Sequence, residues 1–277
     1  MDAIDCLNSL QDNSVELILT DPPYFISRNS GYINNAPDKK EYIKKYGKHT
    51  IDFGSWDNPT KEQIRLDIVL KEFYRVLKPQ GTLILFYDFW KMQELKECAE
   101  KIHFKQTRLG IWNKTNPVPI NSRLNYLTNS KEFFITFVKK SKPTFNSSYD
   151  TGNYYYPDNG NENDNNNNNN GSSDIYGSKV YMSNLGLGLD KNIENCDTYY
   201  LPIVHGKERT KHQTQKPIKL IEDLVLKHSN EGDFVLDCFA GSGTTGVACQ
   251  KHNRNCLLVE KEPSYIEIIK NRLSTLN

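Results

Sequence analysis

Residues 234–249 read FVLDCFAGSGTTGVAC. Phe234 to Leu236 is a strand-sized apolar run, Asp237 ends it, Gly241 and Gly243 punctuate a turn, and Thr244 opens a stretch of helical character. A strand, a tight loop and a helix in that order place the loop outside the carboxyl end of a strand, the crevice where open α/β sheets bind ligands. The two glycines permit sharp turning and close approach of backbone to ligand. Toward the C-terminus, NCLLVE from Asn255 to Glu260 reads as a second strand, and a last helix begins near Pro263. Glu260 falls about twenty residues beyond the loop, where a carboxylate can accept hydrogen bonds from a ribose diol.

This half leaves three readings open: an S-adenosylmethionine site, a dinucleotide site, or a structural glycine turn. The loop runs GSG and then TTG rather than GxGxxG, and it lacks the GKS or GKT of a phosphate-binding loop. With no diphosphate to hold, S-adenosylmethionine is the more economical ligand.

The alternation continues upstream. Residues 3–11 suit a short helix with Ile4, Leu7 and Leu10 on one face, followed by a turn at Asp12 to Ser14 and the buried strand VELILT. That strand meets Asp21-Pro22-Pro23-Tyr24, and two prolines cannot continue a ladder. A helix is expected from Thr60, with a Thr60/Gln63 capping box and an apolar stripe of Ile64, Ile68, Phe73 and Leu77, stopping at Lys78-Pro79-Gln80-Gly81. TLILFY is the next strand, then a helix from Trp90 to Lys101 and strands at Leu109 to Trp112 and Glu132 to Val138. Regular structure resumes with Pro217 at the first position of a helix whose Ile218, Ile221, Leu224 and Val225 form a buried face. The pattern predicts a layered α/β domain.

Two stretches fall outside it. Phe25 to Pro59 is a Gly-, Asn-, Lys- and Tyr-rich excursion. From Ser141 to about Asp197 periodicity is lost, and Asn165 to Asn170 are six consecutive asparagines. Such a tract cannot bury enough apolar area to offset its ordering entropy, so a disordered inserted loop is expected.

The formal charge is +1, from 35 Lys and Arg against 34 Asp and Glu, which excludes a uniformly basic protein that coats nucleic acid. Basic residues instead cluster. Lys207, Arg209, Lys211, Lys216 and Lys219 face only Glu208, and Lys39, Lys40, Lys44, Lys45 and Lys48 crowd a second segment. Either patch can neutralise phosphates over a limited footprint, or simply solvate a surface. Apolar runs are shorter than the ~20 residues of a membrane span, and MDAIDCLNSL lacks the basic start and apolar core of a secretory signal. Six scattered cysteines show neither paired CxxC spacing nor zinc-finger histidines, so free thiols in the cytoplasm are expected, with no metal.

Asp21-Pro22-Pro23-Tyr24 adds chemistry to the architecture. A carboxylate and a proline carbonyl at a strand end can both accept hydrogen bonds from an exocyclic amino group, Tyr24 can stack on an extruded base, and Pro22 and Pro23 stiffen the loop.

With DPPY at Asp21 to Tyr24 preceding FAGSG at Phe239 to Gly243, the chain closely resembles the beta group of amino-methylating DNA methyltransferases. The likeness extends to RVLKPQGTLIL from Arg75, WNKTNPVP from Trp112 and HQTQKP from His212, close to the family's HPTQKP with Gln213 in place of a proline. It implies a permuted Rossmann-like fold with a mostly parallel sheet, S-adenosylmethionine as cofactor and double-stranded DNA as substrate. Methylation of adenine N6 is favoured by Asp rather than Ser at position 21, with cytosine N4 methylation, or a non-catalytic DNA-binding protein on the same scaffold, as the alternatives. By the same resemblance Asp21, Pro22, Pro23 and Tyr24 hold the target amine and base. Asp2, Asp21, Lys216, Pro217, Asp237, Phe239, Gly241, Gly243, Thr244 and Glu260 border the cofactor. Family members commonly carry a strand ending in GD ahead of the LxxLPDNS-like segment. Only Asp2 of it is present, so either the sheet lacks that edge strand or the chain begins upstream. Residues 1–140 and 212–277 are expected to form the catalytic and cofactor-binding domain, with 141–211 an inserted target-recognition region. A cognate restriction endonuclease is an implied partner, and the protein itself is expected as a monomer or homodimer.

Overall fold

The structure, a computed structural model, describes residues 2–24, 65–117, 129–140, 142–147 and 197–276. The 25–59 excursion, the Thr60/Gln63 capping box and the asparagine tract lie outside the described residues. Seven strands form one sheet: β1 (Val15–Thr20), β2 (Leu77–Tyr87), β3 (Lys105–Lys114), β4 (Lys131–Val138), β5 (Thr198–Leu201), β6 (Phe234–Asp237) and β7 (Asn255–Leu258). Their order is β5-β3-β4-β2-β1-β6-β7. Every neighbouring pair is parallel except the two that involve β4, so β4 alone runs against the other strands. The expected mostly parallel, permuted α/β sheet is therefore present, with late strand β6 beside β1.

Helices cover both faces, which is why the central strands read as continuous apolar runs. Along β1, Ile18 points into one core while Leu17 and Leu19 point into the other. β2 splits the same way, with Leu83 and Leu85 opposite Ile84 and Phe86. The first core is closed by α1 (Ala3–Ser9), α2 (Leu66–Val76) and α3 (Met92–Lys101), through Leu7, Leu70, Phe73 and Leu95. The second is closed by α4 (Ile218–His228) and α5 (Thr244–Lys251), through Leu220, Leu224 and Ala248. A last helix, α6 (Pro263–Ser274), follows β7.

Three local expectations are corrected. Leu77 does not end α2: it starts β2, and the Lys78 to Gly81 stretch read as a stop is a bulge within that strand, because Val15 pairs with Leu77 while Leu17 pairs with Thr82. Trp90 lies in a 3-10 turn, Phe89–Lys91, and α3 begins only at Met92. Pro217 is the N-cap of α4 rather than its first residue, with Glu208 Oε1 accepting the Ile218 N–H at 2.8 Å. The described end of the 141–211 region contributes β5, which pairs with β3, and Trp112 Nε1 donates to the Leu201 carbonyl at 2.9 Å.

Candidate active site

Strand direction gathers the chemistry at one edge of the sheet. β1 and β6 are adjacent and parallel, so Asp21 to Tyr24 and the Asp237 to Gly243 loop leave the sheet side by side. β4 is reversed, so its start at Lys131 and Glu132 lies at that same edge, next to the end of β3 at Lys114. Asp237 fastens the junction. Its Oδ1 accepts Thr20 Oγ1 at 2.7 Å and the Phe239 N–H at 3.1 Å, and its Oδ2 accepts Thr245 Oγ1 at 2.7 Å. Burial pushes this carboxyl up to about 6, against the pull of those hydrogen bonds.

The glycine loop needs its glycines. Gly241 and Gly243 have φ of +51° and +74°. A Cβ on Gly241 would stand 2.8 Å from His212 Nε2, and one on Gly243 would stand 2.9 Å from Ile269 Cγ1. His212 is itself fixed edge-on to Tyr265, with ring centroids 4.5 Å apart. Burial, then Lys216 and other nearby cations, holds its imidazole down at about 4 and therefore neutral. Glu260 binds the loop from β7: Oε2 accepts the Gly241 N–H at 2.7 Å, and Oε1 accepts those of Lys261 at 2.7 Å and Glu262 at 2.9 Å. A carboxylate has about four lone-pair sites, so Glu260 keeps one for a ligand hydroxyl.

On the other side Tyr24 Oη donates to Asp21 Oδ1 at 2.5 Å, and Asp21 Oδ2 is ion-paired with Lys216 Nζ. Lys216 also meets Glu132 Oε2 at 3.2 Å, and Lys114 meets Glu132 Oε1 at 2.7 Å. Burial raises the Asp21 carboxyl, and Lys216 opposes the rise. For Glu132 burial pushes up as well, but Lys216 and Lys114 outweigh it and the carboxyl is lowered. Lys216 is held protonated: burial works against its charge, and Asp21 and Glu132 overcome it. Tyr24 is driven well above the usual phenol range by burial and then by Asp21, so it remains a donor. Lys91 Nζ holds the Tyr24 carbonyl at 2.9 Å, and the Tyr24 ring meets Tyr87 edge-on at 5.7 Å.

A cleft of about 1390 Å³ spans both halves. That exceeds the roughly 300–1,000 Å³ of a single small-molecule pocket and suits two ligands meeting end to end. Asp21, Pro22, Pro23, Tyr24 and Lys216 line it together with Asp237, Phe239, Gly241, Thr244 and Glu260. Asp2 lines it too, while its Oδ1 caps α1 by accepting the Ile4 N–H at 2.9 Å. Pro217 and Gly243 are not on the lining: they cap α4 and α5. Glu132 and Lys114 are cleft residues that the sequence reading missed. For Glu132 the signal was an acid at the head of the apolar run FFITFV; Lys114 carried none of its own. At the rim Trp90 is 86% exposed and Phe89 stacks on Phe133 at 4.7 Å.

A family model described as DNA methylase matches residues 15–271. The chain belongs to the N6/N4 DNA methylase family. This methylase is 28% identical over 274 residues to the Type II methyltransferase M2.MboI of Moraxella bovis, covering 97% of the chain and 84% of the relative. Among solved structures it resembles the M1.HpyAVI–SAM complex, with a TM-score of 0.59 and 23% identity over 99% of the methylase and 96% of that chain. The cytosine-N4-specific PvuII DNA methyltransferase matches at a TM-score of 0.61 and 16% identity, covering 98% and 84%. At these identities both establish a common methyltransferase fold. No helix among the described residues is long and apolar enough to cross a membrane.

Proposed function

We propose that this methylase transfers a methyl group from S-adenosylmethionine to N6 of adenine in double-stranded DNA, as the modifying member of a Type II restriction–modification pair. One observation carries the reading: Asp21, beside the cation Lys216, faces the same cleft as the glycine loop. Asp rather than Ser at this position favours adenine over cytosine N4.

The residues fit the cofactor. The Gly241 turn exposes backbone to the cleft, Glu260 has lone-pair capacity left for a ribose hydroxyl, and the Phe239 ring provides an apolar border. Asp2 is assigned the adenine portion, while Asp237, Gly243 and Thr244 shape the loop. S-adenosylmethionine, when bound, supplies an electrophilic methyl on a sulfonium. Asp21 and the Pro22 carbonyl accept hydrogen bonds from the target amine, which favours the pyramidal form with its lone pair directed at that methyl. Tyr24 stacks on the extruded base, and Pro22 and Pro23 keep the acceptors in place. Alignment lowers the entropic part of the barrier, and the Asp21 carboxylate stabilises positive charge as it develops on nitrogen.

DNA is gripped by Lys207, Arg209 and Lys211 as phosphate contacts, and base selection lies in 139–211 and 25–58 rather than in the sheet. The test is a plasmid free of base methylation, treated with the protein and S-adenosylmethionine and then sequenced for modified bases. N6-methyladenine at one recurring sequence supports the proposal. N4-methylcytosine overturns the choice of adenine, and an unmodified plasmid overturns DNA methylation itself.

A further inference from the structure

Four charged side chains from four separate segments form an alternating chain at the target side of the cleft. Lys114 ends β3, Glu132 sits near the start of β4, Lys216 immediately precedes the N-cap of α4, and Asp21 follows β1. Their side chains are 15%, 24%, 8% and 24% exposed. Two cations and two anions sum to zero, so no charge of the chain is left uncompensated in a poorly hydrated site. Lys216 has three N–H donors. One is directed to Asp21 and one to Glu132, and the ammonium also lies 5.0 Å from the Phe86 ring centroid. Its two carboxylate partners both lie on the target side, which sets Lys216 apart from the cofactor contact that its KP segment suggests by resemblance.

We propose that Lys216, clamped by Glu132, is a positioning residue for the target amine: it fixes Asp21 as an anion beside Tyr24, and Glu132 cancels the cation's field where nitrogen turns positive. The inference rests on the methyltransfer reading above and assigns Lys216 to the target side of the site.

The groups around Asp21 make the consequence specific. Lys216 faces it from the segment ahead of α4, Glu132 from β4, Tyr24 from its own loop and Asp237 from β6. Lys114 of β3 reaches it only through Glu132, and Asp88 and Lys91, beyond β2, act on Tyr24. Lys216 is thus the cation in contact with Asp21, and Glu132 opposes ionisation. Lys216→Met keeps the length of the side chain and its packing on Phe86 while deleting the charge. Glu132→Gln keeps the shape and leaves the cluster with one net positive charge, Lys114 and Lys216 against Asp21 alone.

The experiment pairs an activity-independent readout with kinetics. In protein labelled with ¹³C at the aspartate carboxyls, the Asp21 resonance is assigned by its loss in Asp21→Asn and titrated in each variant without cofactor. Lys216→Met should move the Asp21 midpoint upward by about one to three pH units, the usual effect of one adjacent opposite charge. The acid limb of single-turnover methyl transfer to DNA should follow it. Glu132→Gln should move the midpoint down or leave it in place while lowering the plateau rate about tenfold or more, a charge effect of the kind seen at preorganised sites. Calorimetric affinity for S-adenosylmethionine should stay within about twofold in both, and Lys216→Arg should recover the wild-type midpoint. An unmoved Asp21 midpoint in folded Lys216→Met, or a tenfold loss of S-adenosylmethionine affinity with normal methyl transfer, overturns the assignment. If wild-type protein modifies no DNA while the midpoints shift as stated, the methyltransfer reading falls and the target-amine role with it, and only the Lys216–Asp21 charge coupling stands.

Discussion

Replacing Gly241 by alanine tests whether the glycine loop is built as described. At φ +51° an L-residue carries a left-handed penalty of roughly 1–2 kcal/mol, offset by about 0.4–1 kcal/mol from the lower entropy of the unfolded chain. The new Cβ would also stand 2.8 Å from His212 Nε2. The His212 ring cannot swing clear, because it is buried and Tyr265 packs against it. Overpacking of that kind typically adds about 1–3 kcal/mol. Gly232 is the internal control: its φ is +81° and an added Cβ would meet nothing within 4 Å. Gly232→Ala should therefore cost about 1 kcal/mol and Gly241→Ala about 2–4 kcal/mol, measured by urea unfolding with unchanged m-value. The larger loss corresponds to a fall of roughly 5–15 °C in melting temperature for a domain of this size. Calorimetry should also show weaker S-adenosylmethionine binding for Gly241→Ala alone. Equal losses for the two variants would refute the steric argument.

Other variants probe separate parts of the account. Asp21→Asn should reduce methyl transfer below detection while S-adenosylmethionine affinity, by calorimetry, changes little; equal loss of both contradicts the division into target and cofactor sides. Asp237 is raised to about 6 in the folded state, so its contribution to stability is complete below its unfolded value near 4 and is lost as pH rises through 6. Asp237→Asn should abolish that part of the pH dependence, seen as a flatter stability–pH profile for the variant and a wild-type advantage that shrinks from about pH 4 to 7. Neutralising Lys207, Arg209 or Lys211 singly should weaken binding to all DNA sequences and lower the salt slope by about one unit for each true phosphate contact. Deleting residues 163–171 should leave melting temperature and turnover nearly unchanged, since their composition of Asn, Asp and Gly offers no apolar surface to bury.

The parts of the fold legible in the sequence are those governed by local pattern. VELILT and TLILFY announce doubly covered strands because both of their faces are apolar, and both occupy the centre of the sheet. Strand β5 gives almost no such signal. It is four residues long, follows a tract without periodicity, and gains its place through pairing with β3 and through Tyr199 and Leu201 in the second core. The bulge at Lys78 to Gly81 was hidden for a related reason: Pro and Gly read as a helix stop, and only pairing with β1 shows that the chain is already in the sheet. In the site, Asp21, the glycine loop and Glu260 were found because each sits at a strand end, a position that sequence marks well. Lys114 and Glu132 were not, since they come from β3 and β4, whose meeting at this edge depends on the reversal of β4.

The most direct measurement of the central claim uses S-adenosylmethionine labelled on its methyl group. Duplex DNA treated with the purified protein is digested to nucleosides, and the labelled product is identified by chromatography and mass. Label is expected in N6-methyl-2′-deoxyadenosine, dependent on Asp21. Label in N4-methyldeoxycytidine, or DNA without label, contradicts it.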